Sequence, residues 1–173
     1  YCDDAVNDDL ITQQLRRVAV DAVEPHVLLL ARAGSHAEMN RAAIALLGLT
    51  VASAENANAI VDLGGVSVLA DLLLASTSPS ARATNAAGVL QNIALNGSPS
   101  SSIAVGESGA LEALIALGLQ GEQLGEERAA GALLTLALQS KSANAIVDLG
   151  GVSLLVDLLS QSSNPSTRAT AAG

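Results

Sequence analysis

Two histidines and one cysteine are the side chains that first suggest metal or nucleophilic chemistry. His26 and His36 are ten residues apart, without HxxxH or HExxH spacing and without a neighbouring cysteine. A zinc site needs three or four convergent ligands, so we expect both histidines to be surface or capping residues near the starts of two helices. Cys2 stands beside two aspartates, whose negative charge opposes an activated thiolate.

The other candidate motifs have simpler structural interpretations. Glu126 and Glu127 are adjacent, so on a helix they diverge by about 100°, and acidic residues in a first turn favour the helix dipole. The Gly-Gly pair of residues 64–65 recurs at 150–151, where it marks a boundary between helices of the repeat. It lacks the GxGxxG pattern of a phosphate-binding loop. The serines from Ser98 to Ser102 are typical of a turn. We therefore expect no enzymatic activity, no metal site and no cofactor.

The composition argues against several classes of protein. The chain has 8 Lys and Arg against 17 Asp and Glu, a formal net charge of −9, whereas proteins that bind nucleic acid present a basic face to phosphates. No apolar run approaches the roughly 18 residues of a membrane span, and Asp71 interrupts the best candidate. A single cysteine and an acidic start are not typical of a secreted protein. We expect a cytoplasmic or nuclear protein, unless a targeting segment has been removed.

An internal repeat determines the expected architecture. The 31 residues from Ala57 return from Ala143, a shift of 86 residues without a gap, and 22 of the 31 positions are identical. A fainter copy lies halfway between them. Gly64, Gly109 and Gly150 occupy matching places, so the steps are 45 and 41 residues. The unit is a little over forty residues, which is the length of a helical solenoid repeat.

Periodicity and turn residues divide each unit into a short helix and two longer ones. A short helix from Ala57 to Leu63 is closed by Gly64, where a left-handed backbone costs no steric strain. The apolar pattern predicts a second helix from about Gly65 to Ala75 and a third from about Ser80 to Leu95. Pro79 is placed to open this third helix.

The same pattern extends toward the N-terminus. It predicts one helix from Glu24 to Ala33 and another from Ser35 to Ala52. Ser35 and Glu38 have the S-x-x-E spacing of a capping box at the start of the latter. A separate helix from Leu10 to Ala22 is expected where a first helix, or a preceding repeat, would pack.

Four segments resemble the consensus of the armadillo repeat: NAIVDLGGVSVLADLL, NAAGVLQNIAL, ESGALEALIAL and RAAGALLTLAL. The resemblance implies an all-α, right-handed alpha-solenoid superhelix of about four repeats, the last one truncated. HEAT repeats, the near alternative, lack the short first helix and the Gly-Gly junction. We expect an acidic N-terminal segment with a first helix at residues 1–22, followed by repeats at about 23–56, 57–100, 101–142 and 143–173. We interpret the chain as part of a longer protein or of a larger complex.

The resemblance also implies which residues line a binding groove. In armadillo repeats the third helices line the concave face, where a late Asn grips the main chain of an extended partner. A Trp one turn earlier stacks on the partner's side chains. By register, the Asn position holds Gly48, Asn92 and Thr135, and the Trp position holds Ile44, Gly88 and Gly131. We expect a shallow floor of Gly and Thr that does not capture basic peptides.

Two further rows on the same helical face are polar. Arg41, Asn85 and Arg128 stand seven residues before the Asn position, and Ala52, Asn96 and Gln139 stand four residues after it. The groove residues predicted to bind a partner are Arg41, Asn85, Asn92, Asn96, Arg128, Thr135 and Gln139. Because arginine pairs bidentately with carboxylates, we expect an acidic or neutral peptide. The alternative is that each Arg pairs with a nearby Glu, for example Arg128 with Glu126 or Glu127.

Two functional hypotheses follow. The main hypothesis is a non-catalytic scaffold or adaptor whose concave face binds a peptide or helix of a partner protein. The alternative is a purely structural module, or a subunit of a large assembly, that contacts its neighbours through its ends, loops or convex face. Catalysis would require a separate domain outside these residues.

Overall fold

The computed structural model describes residues 2–75, 81–120 and 123–161, and these residues form an all-α solenoid. The helices are α1 (Cys2–Arg32), α2 (His36–Ala52), α3 (Ala54–Asp62), α4 (Gly65–Leu74), α5 (Ala81–Asn96), α6 (Pro99–Glu107), α7 (Ala110–Gly118), α8 (Gln123–Ala137), α9 (Ser140–Asp148) and α10 (Gly151–Gln161). The third helix predicted for the last unit and the turn around Pro79 lie outside the described residues.

Equivalent helices of successive repeats pack side by side in three rows. The first-helix row consists of α3, α6 and α9, and the second-helix row of α4, α7 and α10. The third-helix row consists of α2, α5 and α8, with α5 in contact with both of its neighbours. The core between the rows is aliphatic. Its fully buried leucines include Leu46, Leu90 and Leu133, which occupy the same register position in the three third helices.

Three glycines make the corner between the first and second helix of each unit. Gly64, Gly109 and Gly150 have φ values of +71°, +77° and +78°, and every residue with positive φ in the described part of the chain is one of them. A side chain with a Cβ is strained in this left-handed conformation, so glycine is required where the chain turns from α3 into α4. The prediction from the repeat register is confirmed at all three places.

The N-terminal region differs from the prediction of two helices, because α1 runs without interruption from Cys2 to Arg32 with Pro25 inside it. Proline lacks the N–H that would bond to the carbonyl of Asp21, which normally ends or bends a helix. However, buried side chains continue on one face across this point, at Ala19, Val23, Val27 and Leu30. Burial of this stripe against α2, α3 and α4 compensates for the lost hydrogen bond. His26 is therefore an interior residue of α1, not a residue at a helix start.

Short polar motifs begin the helices at the repeat junctions. Ser35 and Glu38 form a variant of the predicted capping box: Ser35 Oγ accepts the Glu38 N–H at 3.3 Å, but Glu38 Oε2 accepts the N–H of Gly34, the residue before the N-cap, at 3.2 Å. The serine run was expected to form a turn, but it begins α6. Ser98 is its N-cap and Pro99 its first residue, because proline's missing N–H and fixed φ suit a helix start.

Ser53 connects α2 to α3 as a single residue. Its Oγ accepts the Glu55 N–H at 3.1 Å, and its hydroxyl donates to Glu55 Oε2 at 2.5 Å. This hydrogen bond, together with the Glu55 amide, holds the pKa of Glu55 below its ordinary value. The charged carboxylate therefore stabilises the start of α3 at neutral pH. That contribution is lost as the pH falls through the lowered pKa.

Leu90→Ala tests the assignment of the core face of α5. Because the Leu90 side chain is fully buried, the change should lower the free energy of unfolding by about 2–5 kcal/mol through lost transfer energy and a cavity. Leu95→Ala on the same helix is the matched control: its side chain is exposed, and the loss should be below about 0.5 kcal/mol. Urea unfolding followed by circular dichroism measures both, and equal losses would contradict the assignment.

Candidate functional site

The predicted groove residues belong to the third-helix row, and the Asn position is mostly occupied by internal contacts. Asn92 is only 8 % exposed, and its Nδ2 donates to Oγ1 of the fully buried Thr50 on α2 at 3.1 Å. The Thr50 hydroxyl in turn donates to the Leu47 carbonyl at 2.9 Å. Thr135 is half-buried and donates to the Gly131 carbonyl at 2.9 Å. The amide and the hydroxyls thus tie helices together or bond within them.

The predicted arginine row is also partly engaged between repeats. Asn85 donates through Nδ2 to Asn40 Oδ1 on α2 at 3.0 Å. Arg128 is half-buried and donates through Nη1 to Gln91 Oε1 on α5 at 3.2 Å. Arg41 is exposed on α2. Of these three side chains, Arg41 is the most exposed.

The sequence predicts a shallow floor of Gly and Thr, and in the structure side chains of adjacent third helices lie over the Trp position. A Cβ added to Gly88 would lie 3.0 Å from Leu47 Cδ1 and 3.5 Å from Arg128 Nε. At Gly131 the nearest atom to such a Cβ is Nε2 of Gln91, and Gln91 Cδ lies 3.0 Å from it. Each glycine therefore accommodates a long side chain from the adjacent third helix. Neighbouring repeats fill the space that a Trp would occupy.

The last two predicted groove residues have different environments. Asn96 is exposed at the end of α5. Gln139 is not on a third helix, because α8 ends at Ala137 and Gln139 is the N-cap residue of α9. Its Nε2 donates to Ser102 Oγ on α6. Gln139 therefore links a repeat junction to the first-helix row.

Sequence reasoning missed an exposed aliphatic row, which we call the ladder: Val51, Leu95 and Leu138. Their exposed fractions are 70 %, 63 % and 83 %. Each stands seven residues after the Trp position of its unit, so each continues the stripe that carries the predicted groove. Val51 and Leu95 lie in the last turn of α2 and α5, and Leu138 directly follows α8. Comparing the units by register would have found the row, since its members are aliphatic in all three.

The described residues contain no group of three or more His, Cys, Asp or Glu side chains close enough to hold a metal ion. A cleft of about 350 Å³ lies between α6 and α9, lined by Ile103, Gly106 and Ala145 among others. At its edge Lys141 Nζ lies 3.4 Å from Glu107 Oε1, and both side chains are mostly exposed, so solvent screens this ion pair. This cleft lies on the first-helix row and does not include any residue of α2, α5 or α8.

Among the described helices, none is by itself long and apolar enough to cross a membrane. The pair α3 and α4 passes a test of length and composition together, but the two helices are bent by 81° at their junction.

Asn92→Ala tests whether this amide is a structural group. It should lower the free energy of unfolding by about 1–2 kcal/mol, because a buried hydrogen bond is lost and Thr50 no longer has its donor. Asn96→Ala is the control on the same helix and should change stability by less than about 0.5 kcal/mol. Urea unfolding followed by circular dichroism compares the two variants, and equal stabilities would show that the hydrogen bond does not contribute to the fold.

Comparisons with known proteins agree with this architecture. A search of curated proteins finds no match. The family model described as armadillo/beta-catenin-like repeat matches residues 139–173. Two solved structures titled as engineered proteins share 35 % and 36 % identity with this chain over 87 % of its length, with TM-scores of 0.78 and 0.77. The chain spans 59 % and 36 % of those two proteins, respectively, which is less than two thirds of either.

Proteins titled as armadillo designs share the fold at lower identity. A designed armadillo repeat protein in complex with the peptide (KR)4 is 22 % identical, with a TM-score of 0.78 over 92 % of this chain and 70 % of its own. Computationally designed armadillo repeat proteins for modular peptide recognition give 23 % identity and a TM-score of 0.79. Together with the glycine corners and the three helix rows, these likenesses identify the fold. Residues 139–173 thus match the armadillo/beta-catenin-like repeat family, and the described residues have the fold of the designed armadillo repeat proteins.

Proposed function

We propose that the chain is a non-catalytic scaffold whose third-helix row binds a segment of a partner protein. The observation that carries the proposal is the ladder: the side chains of Val51, Leu95 and Leu138 are aliphatic, exposed and at the same repeat position, in or directly after the last turn of adjacent third helices. Single exposed aliphatic residues are ordinary on protein surfaces. Recurrence at one register along a row is not ordinary, and it offers a partner a continuous strip of apolar contacts.

The charge of the row favours a neutral or acidic partner. The C-terminal parts of the three helices, residues 42–52, 86–96 and 129–139, contain no charged residue in a chain whose net charge is −9. Arg41 and Arg128 precede the first and third of these segments. The designed relative in complex with (KR)4 holds a basic peptide. A basic peptide on this chain would find no carboxylate along these segments, whereas an acidic residue would find Arg41 exposed.

The same proposal includes that the chain has no enzymatic activity and that it is located in the cytoplasm or nucleus. Glu126 lies in the first turn of α8, where its charge favours the helix dipole, and His36 is the first residue of α2. These positions give both side chains structural roles without a reaction. A cytoplasmic or nuclear location fits a chain with one cysteine.

A ladder variant tests this function. A phage-displayed library of random peptides is selected on the wild type and counter-selected on Val51→Gln/Leu95→Gln/Leu138→Gln, whose glutamines preserve helix propensity and remove apolar surface. We expect enriched peptides that bind the wild type and lose about tenfold or more in affinity on the variant. Leu119→Gln is the matched control, because Leu119 is 64 % exposed but lies at the end of α7. Peptides that bind wild type and ladder variant equally would overturn the proposal.

A second candidate function, a structural module that contacts neighbours through its end, is favoured by a separate observation. Val66 and Ala70 of α4 are buried, whereas Val152 and Val156, their equivalents 86 residues later in α10, are 49 % and 57 % exposed. The α4 residues belong to a helix that packs against α7. The α10 face has the same kind of apolar surface, and among the described residues no further second helix covers it.

Sedimentation of an end-face variant checks this second candidate. If the α10 face mediates assembly, wild type should associate as its concentration rises, and Val152→Ser/Val156→Ser should sediment as a monomer, because its apolar contact area is removed. Circular dichroism verifies that the variant keeps its helices, and the ladder variant should associate like the wild type. If the wild type stays monomeric over the whole concentration range, self-assembly through this face is excluded.

A further inference from the structure

We propose that the cleft between α6 and α9 binds a small ligand that has a carboxylate group on an aliphatic chain. The carboxylate accepts hydrogen bonds at the start of α9, from backbone N–H groups and from the Ser142 hydroxyl, and Lys141 lies beside it as a cation. The aliphatic chain lies against Ile103 and Ala145. This site is on the first-helix row, so it is separate from the third helices to which the proposed function assigns the binding of a partner protein.

Comparison of the two junctions between first helices shows what differs at this cleft. Where α3 meets α6, Asn58 Oδ1 accepts the N–H of Ser98, the N-cap residue of α6, at 2.8 Å and the Ser101 hydroxyl at 2.7 Å. Counted from the corner glycines, Ile103 occupies the position of Asn58 in the next unit. An isoleucine side chain has no hydrogen-bonding group, so the same contact cannot form between α6 and α9. The cleft lies at this second junction.

The isoleucine leaves one buried hydroxyl without an acceptor. Ser142 occupies the register position of Ser101, and Ile103 does not supply to it the acceptor that Asn58 supplies to Ser101. Ser142 is 4 % exposed and lines the cleft, where its Oγ lies so close to Gly106 that a Cβ added there would clash with it. Within the described part of the chain this hydroxyl has no hydrogen-bond partner. Because a buried polar group without a partner is costly, the hydroxyl indicates a ligand that supplies an acceptor.

The start of α9 offers further donors to the same cleft. Ser53 and Ser98 cap α3 and α6, because the side chain of each accepts a backbone N–H. Gln139, the N-cap residue of α9, makes no such bond, and its side chain donates to Ser102 instead. Residues 139–142 all line the cleft, so the first turn of α9, with N–H groups that no side chain caps, forms part of its wall. The partial positive charge of a helix N-terminus attracts an anion.

Lys141 and Glu107 restrict the charge of this anion. The first turn of α9 has no acidic residue, and it has Lys141, a cation, where the helix dipole favours an anion. Lys141 Nζ lies 3.4 Å from Glu107 Oε1, and the ammonium group has further donors available for a ligand. The charges of these two side chains cancel, which leaves the helix N-terminus, about half of an elementary charge. That remainder suits a carboxylate with one negative charge better than a phosphate dianion.

The size and the apolar wall of the cleft restrict the rest of the ligand. Its volume of about 350 Å³ lies at the lower end of the range of small-molecule sites, about 300–1,000 Å³. Ile103 and Ala145 line it, together with Lys141, whose methylene groups are apolar. Ile103 is 44 % exposed, so a ligand that covers it removes apolar surface from water. A short aliphatic chain meets both conditions.

Titration of the full chain with octanoate, followed by the NMR signals of the backbone amides, tests the inference. We expect octanoate to shift the signals of Ser140, Lys141 and Ser142. Octanamide has the same chain without the charge, and it should bind about tenfold more weakly, the effect of one hydrogen bond to a charged group. Acetate has the charge without the chain and should also bind about tenfold more weakly. Octyl phosphate should not bind more tightly than octanoate.

Ser142→Ala and Ser101→Ala are a matched pair of variants, because the two serines occupy the same register position. Ser142→Ala should weaken octanoate binding about tenfold without lowering the urea midpoint of unfolding, since its hydroxyl bonds to the ligand and not to the described chain. Ser101→Ala should lower that midpoint, because it removes the hydrogen bond to Asn58, and should bind octanoate like the wild type. Ile103→Asn restores the acceptor for Ser142, so it should raise the midpoint and weaken octanoate binding about tenfold.

Each of the opposite results would overturn the inference. If octanoate and octanamide bind equally, or if octyl phosphate binds more tightly, the site does not select a carboxylate. If octanoate leaves the amide signals at the start of α9 unchanged, or if Ser142→Ala binds it like the wild type, the ligand is not held in this cleft. If a short peptide with a free C-terminal leucine binds more tightly than octanoate, the occupant is the end of a protein chain. These results leave the proposed function untouched, because the cleft does not include any residue of the third helices.

Discussion

The lateral packing of each repeat on the next is the interaction on which the whole molecule depends. A single repeat cannot bury its aliphatic face alone, so the leucines at positions 46, 90 and 133 become core only because the third helices lie side by side. The same translation from repeat to repeat acts on the outer face of these helices. Val51, Leu95 and Leu138 recur at the same interval as the buried leucines. A periodic core therefore produces a periodic surface, and the ladder has its spacing from the core.

Side-chain hydrogen bonds between repeats determine which groups this surface has left for a ligand. Asn92 bonds to Thr50, Asn85 to Asn40 and Arg128 to Gln91, each across a junction between third helices. On the first-helix row, Asn58 Oδ1 accepts the Ser98 N–H at 2.8 Å and the Ser101 hydroxyl at 2.7 Å. These bonds satisfy polar groups that burial would otherwise penalise. The side chains that remain exposed at the C-terminal ends of the third helices are chiefly the aliphatic ones of the ladder. The proposed binding of a partner therefore depends on apolar contact.

The sequence predicts those features that depend only on residues within one repeat. The register of Gly64, Gly109 and Gly150 predicts three left-handed corners, and all three are found, because a local backbone requirement has a local residue signature. Prediction is weaker where distant side chains decide the outcome. Pro25 indicates a helix break, but the buried face that continues α1 belongs to contacts with other helices. Likewise Gly88 predicts a shallow floor, but it does not indicate that Arg128, forty residues later, lies over that floor.

The 86-residue duplication shows why burial cannot be deduced from a repeat's own residues. Val66 and Val152 occupy identical positions in nearly identical segments, yet one is buried and the other half exposed. The difference lies in the neighbour, since α4 packs against α7. The ladder shows the opposite case. Leu95 is exposed although its helix, α5, packs against a third helix on each side, so its exposure does not depend on whether a neighbouring repeat is present.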